Sequence, residues 1–331
     1  MAEHVHIPPD WAARTALWTA WPSDAGLWED NLAPARAEVA ALVRALKAGG
    51  ERVMVLAAHE EAAASARSAL GGAGEVLIEP FGDIWLRDTG PIFAKQGGES
   101  VALQFRFNGW GGKYVLDHDD GVAAAIARRS GVRLIAHDFV LEGGAIELDG
   151  EGTLLTTRQC LLNPNRNPGW TEEAAEGALR AALGVETILW LDEGLANDHT
   201  DGHVDNLARF IAPGIVVCQT PVANDPNADV LEEIALTLAA MRDAHGRQLD
   251  VRRIPSPGRV LDGDGAVMAA SHMNFVIGAR VIALPIYSER GAAAAEAFKA
   301  LFPDHEIAAL SSNAILTGGG SFHCITREQP A

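Results

Sequence analysis

Short runs of apolar and β-branched residues recur along the whole chain, at 52–56, 75–78, 101–107, 132–135, 187–191, 215–218, 251–254, 275–285 and 306–310. Their length and composition suit strands. Alanine-rich amphipathic stretches at 34–48, 60–70, 121–130, 172–182, 229–244 and 292–301 read as helices. The alternation is not one strand to one helix, because several helices are flanked by two or three strands. The run 275–285 breaks at Gly278-Ala279 and reads as a hairpin. This pattern predicts an α/β chain of repeated β-rich units rather than a doubly wound nucleotide fold. No Gly/Ser linker, low-complexity tract or charge block interrupts it. A single domain over 1–331 is therefore expected.

Two glycine-rich segments resemble ligand loops and fail as such. Asn108-Gly109-Trp110-Gly111-Gly112-Lys113 ends like a phosphate loop, but Phe107 replaces the first glycine and Tyr114 follows the lysine. Gly71-Gly72-Ala73-Gly74 lacks the third glycine of a dinucleotide fingerprint and precedes a strand. Both read as plain loops.

Composition changes the picture only at the margins. Among 331 residues, 44 Asp and Glu against 26 Lys and Arg give a net charge of −18. Such a surface disfavours nucleic acid and anionic membrane and favours a small cation. No apolar run approaches a membrane span. The segment Met1 to Asp10 has neither the basic start nor the apolar stretch of a secretory signal, so the cytoplasm is expected. Three cysteines, Cys160, Cys218 and Cys324, suit a reducing compartment better than a disulfide framework.

The chemistry concentrates in five polar, glycine-bounded clusters. These are Asp83-Ile84-Trp85-Leu86-Arg87-Asp88-Thr89-Gly90-Pro91, Leu141-Glu142-Gly143-Gly144, the stretch from Asp198 to Asn206, Ser271-His272-Met273-Asn274, and Gly318-Gly319-Gly320-Ser321-Phe322-His323-Cys324. Successive steps from Asp88 through Glu142, His203 and His272 to Cys324 are 54, 61, 69 and 52 residues. Similar intervals are what a ring of five units would deliver to a common axis.

The clusters resemble the agmatine deiminase family, in its Porphyromonas-type peptidylarginine deiminase-like branch of the guanidino-group-modifying enzymes. The resemblance runs from Trp18-Thr19-Ala20-Trp21-Pro22 to the C-terminus. Gly318 to Thr326, Trp85 to Pro91 and Thr200 to Asn206 are its most specific segments. It implies a pentein-like fold, a five-bladed pseudo-symmetric α/β propeller. Ser23-Asp24 and Phe81-Gly82 depart from the residues that relatives often carry there, which bears on the substrate's tail and not on the reaction.

The resemblance also implies roles. A guanidinium is planar, delocalised and always protonated, so its carbon is a weak electrophile. Hydrolysis needs a strong nucleophile, carboxylates for the N–H fork and an acid/base. Cys324 is the expected nucleophile, as thiolate. His203 is the expected acid/base, with Asp205 two residues on and on the same face if the segment is a strand. Asp88 and Asp205 suit a guanidinium clamp. Trp85 could stack on the cation, and Glu142 matches the family's active-site glutamate. His272 and Asp201 are supporting candidates. Cys160 and Cys218 read as inert core cysteines. The competing zinc reading of His199 and His203 is weakened by Gly202 between them. The expected reaction is hydrolysis of agmatine to N-carbamoylputrescine and ammonia through a covalent amidino-thioether, with no cofactor and no metal. Rival readings are deimination of free or peptidyl arginine, amidino transfer, or a silent guanidino-binding protein. Assembly into a homo-oligomer is left open.

Overall fold

A computed structural model describes residues 4–331. The strands form five separate sheets, and each repeats one local plan. An antiparallel hairpin comes first, a helix crosses over, and a third strand returns parallel to the second. Ile92–Gln96 and Glu99–Arg106 pair antiparallel, helix Val122–Ser130 follows, and Arg133–Val140 lies parallel. The plan recurs in Ile146–Leu148, Thr153–Thr157 and Thr187–Leu191 around helix Glu172–Leu183. It recurs in Ala208–Ala212, Ile215–Thr220 and Asp250–Pro255 around helix Ala228–Ala240. The fourth copy is Val276–Ile277, Val281–Ile286 and Glu306–Ser311 around helix Gly291–Leu301.

The fifth sheet is built from distant parts of the chain. Thr326–Pro330 pairs antiparallel with Arg14–Ala20, which runs parallel to Val53–Ala57 across helix Leu32–Ala48. Helix Glu60–Leu70 then adds Glu75–Ile78. The N-terminal strand Val5–His6 joins the edge of the first sheet described, beside Ile92–Gln96.

Local sequence explains these elements. Thr171 caps helix Glu172–Leu183 by accepting from the Ala174 N–H, and Gly184 ends it at φ 70°. Leu32–Ala48 buries Val39, Leu42, Val43 and Leu46 in one apolar core with Leu17 and Val55 of its own sheet. Truncating one such leucine to alanine costs about 2–5 kcal/mol.

The helix read at 229–244 stops at Ala240. Met241 turns extended (φ −81°, ψ 157°), and the Asp243 carboxylate accepts from the His245 and Arg247 N–H groups to make a tight turn. The strands Arg14–Ala20, Ile92–Gln96, Thr153–Thr157, Ala208–Ala212 and Thr326–Pro330 lie outside the predicted runs. The last is polar because its buried Glu328 pairs with the buried Arg87 and its buried Arg327 donates to the Arg87 carbonyl.

Candidate active site

The first strand of each hairpin is preceded by a polar residue, and these residues converge. Asp88 precedes Ile92, Glu142 precedes Ile146, His203 and Asp205 precede Ala208, Asn274 precedes Val276, and Cys324 precedes Thr326. All six side chains are buried. Gly144 marks the centre. A Cβ there would lie 2.6 Å from His203 Nδ1, 3.0 Å from Asp88 Oδ1 and 3.2 Å from Asp205 Oδ2, so only glycine leaves room.

The Cys324 sulfur is held from two sides. Asn274 Nδ2 donates to Sγ at 3.0 Å, and Asp205 Oδ2 lies 3.6 Å away. Asn274 Oδ1 accepts from the backbone N–H groups of His323 and Cys324. Asp88 Oδ1 accepts from the Gly144 N–H and its Oδ2 from the Trp110 indole N–H at 2.8 Å. Glu142 Oε1 accepts from Arg166 Nε at 2.7 Å, and Arg166 is itself tied to Asp201. His203 stands between Asp88 and Glu142, at 3.8 Å from each. Neither of its ring nitrogens has a hydrogen-bond partner among the described residues, and neither has Asp205 Oδ1. A planar N–H donor entering here would find Asp205 Oδ1 open to accept it.

Burial and charge set the resting protonation. Burial, Asp205 and Asp88 together push the Cys324 thiol well up, so it rests protonated. For His203, burial opposes the charge, but the Asp88 carboxylate, with Cys160 and Glu142 nearby, overrides it and raises the imidazolium well above its ordinary value. The contacts to Asp88 and Glu142 exceed hydrogen-bond length, so this pull is one of charge. Burial would raise Glu142 and Asp205; His203 and Arg166 hold the first down, and His323 and His203 the second. Asp88 ends above its usual value because burial outweighs His203.

Above the sulfur opens a cavity of about 290 Å3. Its lining includes Trp28, Trp85, Trp110 and Tyr114, the carboxylates of Glu29, Asp83 and Asp88, and the strip Gly318 to Gly320. Trp28 and Trp85 stack at 6.3 Å, and both indole N–H groups donate to Asp83. Gly320 is obligatory, since a Cβ would meet the Trp85 ring at 2.6 Å. Among the described residues lining the cavity there is no lysine or arginine. Burial raises Asp83 to about 6, against hydrogen bonds from Ile84, Trp28 and Trp85.

Sequence-predicted residues Cys324, His203, Asp88, Asp205 and Glu142 are thus brought together, and Trp85 walls the cavity. Three expectations change. His203 and Asp205 do not lie on a strand, because Asp201 and Gly202 adopt left-handed backbone and Val204–Asn206 forms one 3-10 turn. His272 points away, donating from Nδ1 to the Pro255 carbonyl and stacking on Tyr287; burial lowers it to about 4. Cys160 is buried as expected, but against Glu142 and not in plain core. Asp201 does support the site, through Arg166. His199 sits at the cavity mouth against Tyr114 and joins no cluster of three metal-ligating atoms among the described residues.

Four participants escaped the sequence reading. Asn274 occupied the fourth cluster, at the same offset before its strand as Cys324. His323 bridges Asp205 and Asp10. Trp110 lies in a segment read as a failed phosphate loop, held at φ 53° between glycines. Arg166 had no local signal, because its partner Glu142 is 24 residues away.

Comparison with known proteins places the chain. Residues 6–330 match the Porphyromonas-type peptidyl-arginine deiminase family. An agmatine deiminase of Stutzerimonas stutzeri is 40% identical, covering 98% of this chain and 95% of that one. One of Ectopseudomonas mendocina is 37% identical over 100% of this chain and 96% of its own. The solved agmatine deiminase of Enterococcus faecalis superposes with a TM-score of 0.93 at 32% identity, covering 99% of this chain and 96% of that one. The chain belongs to the Porphyromonas-type peptidyl-arginine deiminase family.

Proposed function

We propose that the protein hydrolyses agmatine to N-carbamoylputrescine and ammonia. The observation that carries this is the cavity above Cys324: it offers carboxylates and indoles, with no lysine or arginine among its described lining residues to receive an α-carboxylate. A tail ending in an ammonium suits it, with Asp83 and Glu29 available, and a zwitterionic amino acid does not.

The guanidinium docks with its N–H fork on Asp88 and Asp205. Its charge offsets the two carboxylates that keep Cys324 protonated, so docking favours the thiolate, and the thiol proton passes to solvent. Sγ attacks the guanidinium carbon, and the His203 imidazolium gives its proton to the departing nitrogen, which leaves as ammonia. An amidino-thioether remains. Neutral His203 then takes a proton from water as it attacks the same carbon, the thiolate leaves, and the hydroxyl proton of the adduct passes to solvent to give the ureido product. Glu142, 3.8 Å away, favours the His203 imidazolium by its charge. Chain-wide, we infer a single domain in which the five sheets are the blades of a ring, each delivering its pre-strand residue to one axis. The reading fits a cytoplasmic enzyme; no helix among the described residues is long and apolar enough to cross a membrane.

The test compares kcat/KM for agmatine, free arginine and an internal peptidyl arginine, with intact-mass detection of an adduct on Cys324. Agmatine should lead by at least about tenfold, the value of one modest specificity contact. Equal use of arginine would sink the substrate assignment. Full activity in Cys324→Ala would sink the mechanism.

A further inference from the structure

Cys160 takes no part in that mechanism, yet it is the residue that completes a ligand set. Its Sγ lies 4.0 Å from Glu142 Oε2, and His203 Nε2 lies 3.8 Å from the same oxygen. The three ligand atoms lie within 4.8 Å of one another and are buried. A zinc ion bound at the usual 2.0–2.3 Å separates its tetrahedral ligands by about 3.3–3.8 Å. The resting ligand atoms, 3.8 and 4.0 Å from the shared oxygen, stand about half an ångström outside that separation, so binding draws them together.

The surroundings also suit a metal. Arg166 engages Glu142 Oε1 and leaves Oε2 turned to the other two. Asp88 lies on the Nδ1 side of His203, where a carboxylate behind a zinc-bound histidine normally sits. His203 Nε2 has no hydrogen-bond partner and is wholly buried, so it points at a place for a ligand. The other such cluster, Asp10, His323 and Glu328, is different. Its atoms are already engaged by Arg209, Arg87 and Asp205, which leaves no room for a cation.

We propose that Cys160, His203 and Glu142 form an inhibitory site for a thiophilic divalent cation, Zn2+ foremost, which switches the enzyme off by occupying its acid/base. The inhibition, though not the binding, rests on the function proposed above. On binding, Cys160 releases its thiol proton to solvent and His203 gives up the proton on Nε2, so affinity rises with pH. The ion needs no change of oxidation state and no co-reactant.

The experiment uses the full chain with Co2+ as an optical probe and Zn2+ as inhibitor. Wild type should develop a thiolate-to-cobalt charge-transfer band with one equivalent of Co2+. Zn2+ should lower agmatine turnover at least tenfold, reversibly on adding a chelator. Cys324→Ser should keep the band, although it has no turnover. Cys160→Ser and Cys160→Ala should lose it and need at least about tenfold more Zn2+ for the same fractional inhibition. No band in wild type overturns the proposal. So does its loss in Cys324→Ser, which would put the metal on the nucleophile, or its retention in a folded Cys160 variant. Should neither Cys160 variant fold, the Cys324→Ser spectrum decides alone. A band without agmatine turnover in wild type would instead count against the proposed function and leave the metal site standing.

Discussion

The site has two histidines, and their surroundings are opposite. His203 is flanked by Asp88 and Glu142 but bonded to neither, with both nitrogens free. His323 is tied at both ends: Nδ1 lies 2.8 Å from Asp205 Oδ2 and Nε2 lies 2.9 Å from Asp10 Oδ2. Asp10 in turn takes Arg209 at 2.6 Å, and Arg209 reaches Glu147 and the Met273 and Phe275 carbonyls. Arg87 closes the network on Glu328. One side of the site is left loose enough to move a proton. The other is a braced wall of paired charges that aims Asp205 and the Cys324 backbone. A free ring nitrogen is useful for chemistry, and a fully bonded ring is useful for position.

The contrast breaks most sharply at the histidines themselves. His203→Asn should lower kcat by about 10²–10⁴-fold, the usual worth of a positioned acid/base, and flatten the pH–rate profile. His323→Asn should leave that profile's shape unchanged while lowering kcat/KM by a smaller factor. Steady-state kinetics across pH reads both. A His323 variant that loses the pH profile would show that the two histidines share the proton work.

A smaller effect is expected one step further back. Asp10→Asn keeps the shape but removes a charge facing Arg209, Arg87 and His323. Leaving buried donors poorly matched should cost about 1–3 kcal/mol in stability, read by urea unfolding at neutral pH, with KM for agmatine nearly unchanged. A large change in KM would move Asp10 into substrate binding.

The smallest signal is the acid limb of stability. Burial would raise Asp10, but Arg87, His323 and Arg209 hold it well below its ordinary 3.8. The native state therefore binds fewer protons than the unfolded chain. The resulting stability is complete above the unfolded value and is lost as pH falls from about 4 through the depressed native one. Unfolding free energy measured from pH 5 to 3 should drop less steeply in Asp10→Asn than in wild type. Equal slopes would assign the acid limb to other carboxylates.

What the sequence disclosed follows the same division. Cys324, His203, Asp88, Asp205 and Glu142 stand in glycine-bounded turns before short strands, and their spacing reports the repeat. The braced side was almost silent. Asp10 stands in no motif near the N-terminus, and Arg209 lies inside an apolar strand 199 residues from it. Their pairing exists only after the sheets come together. The fourth cluster shows the limit at one residue. His272 has the chemistry that invites selection, yet Asn274 holds the position before the strand and so meets the sulfur. Thr326–Pro330 was missed for a related reason, since a strand whose polar residues meet a buried ion and a buried carbonyl carries no apolar alternation.

The pairing of Thr326–Pro330 with Arg14–Ala20 has a consequence for biosynthesis. A ribosome makes Asp88, Glu142, His203 and Asn274 before it makes Cys324, and the strand that seats Cys324 follows the cysteine. The growing chain therefore keeps one edge of its first-made sheet unpaired for some 300 residues of translation. That edge is an open template for wrong partners until the late strand covers it. The thiol and the strand that covers the edge come from one late segment, so the same stretch of chain supplies the nucleophile and the seal.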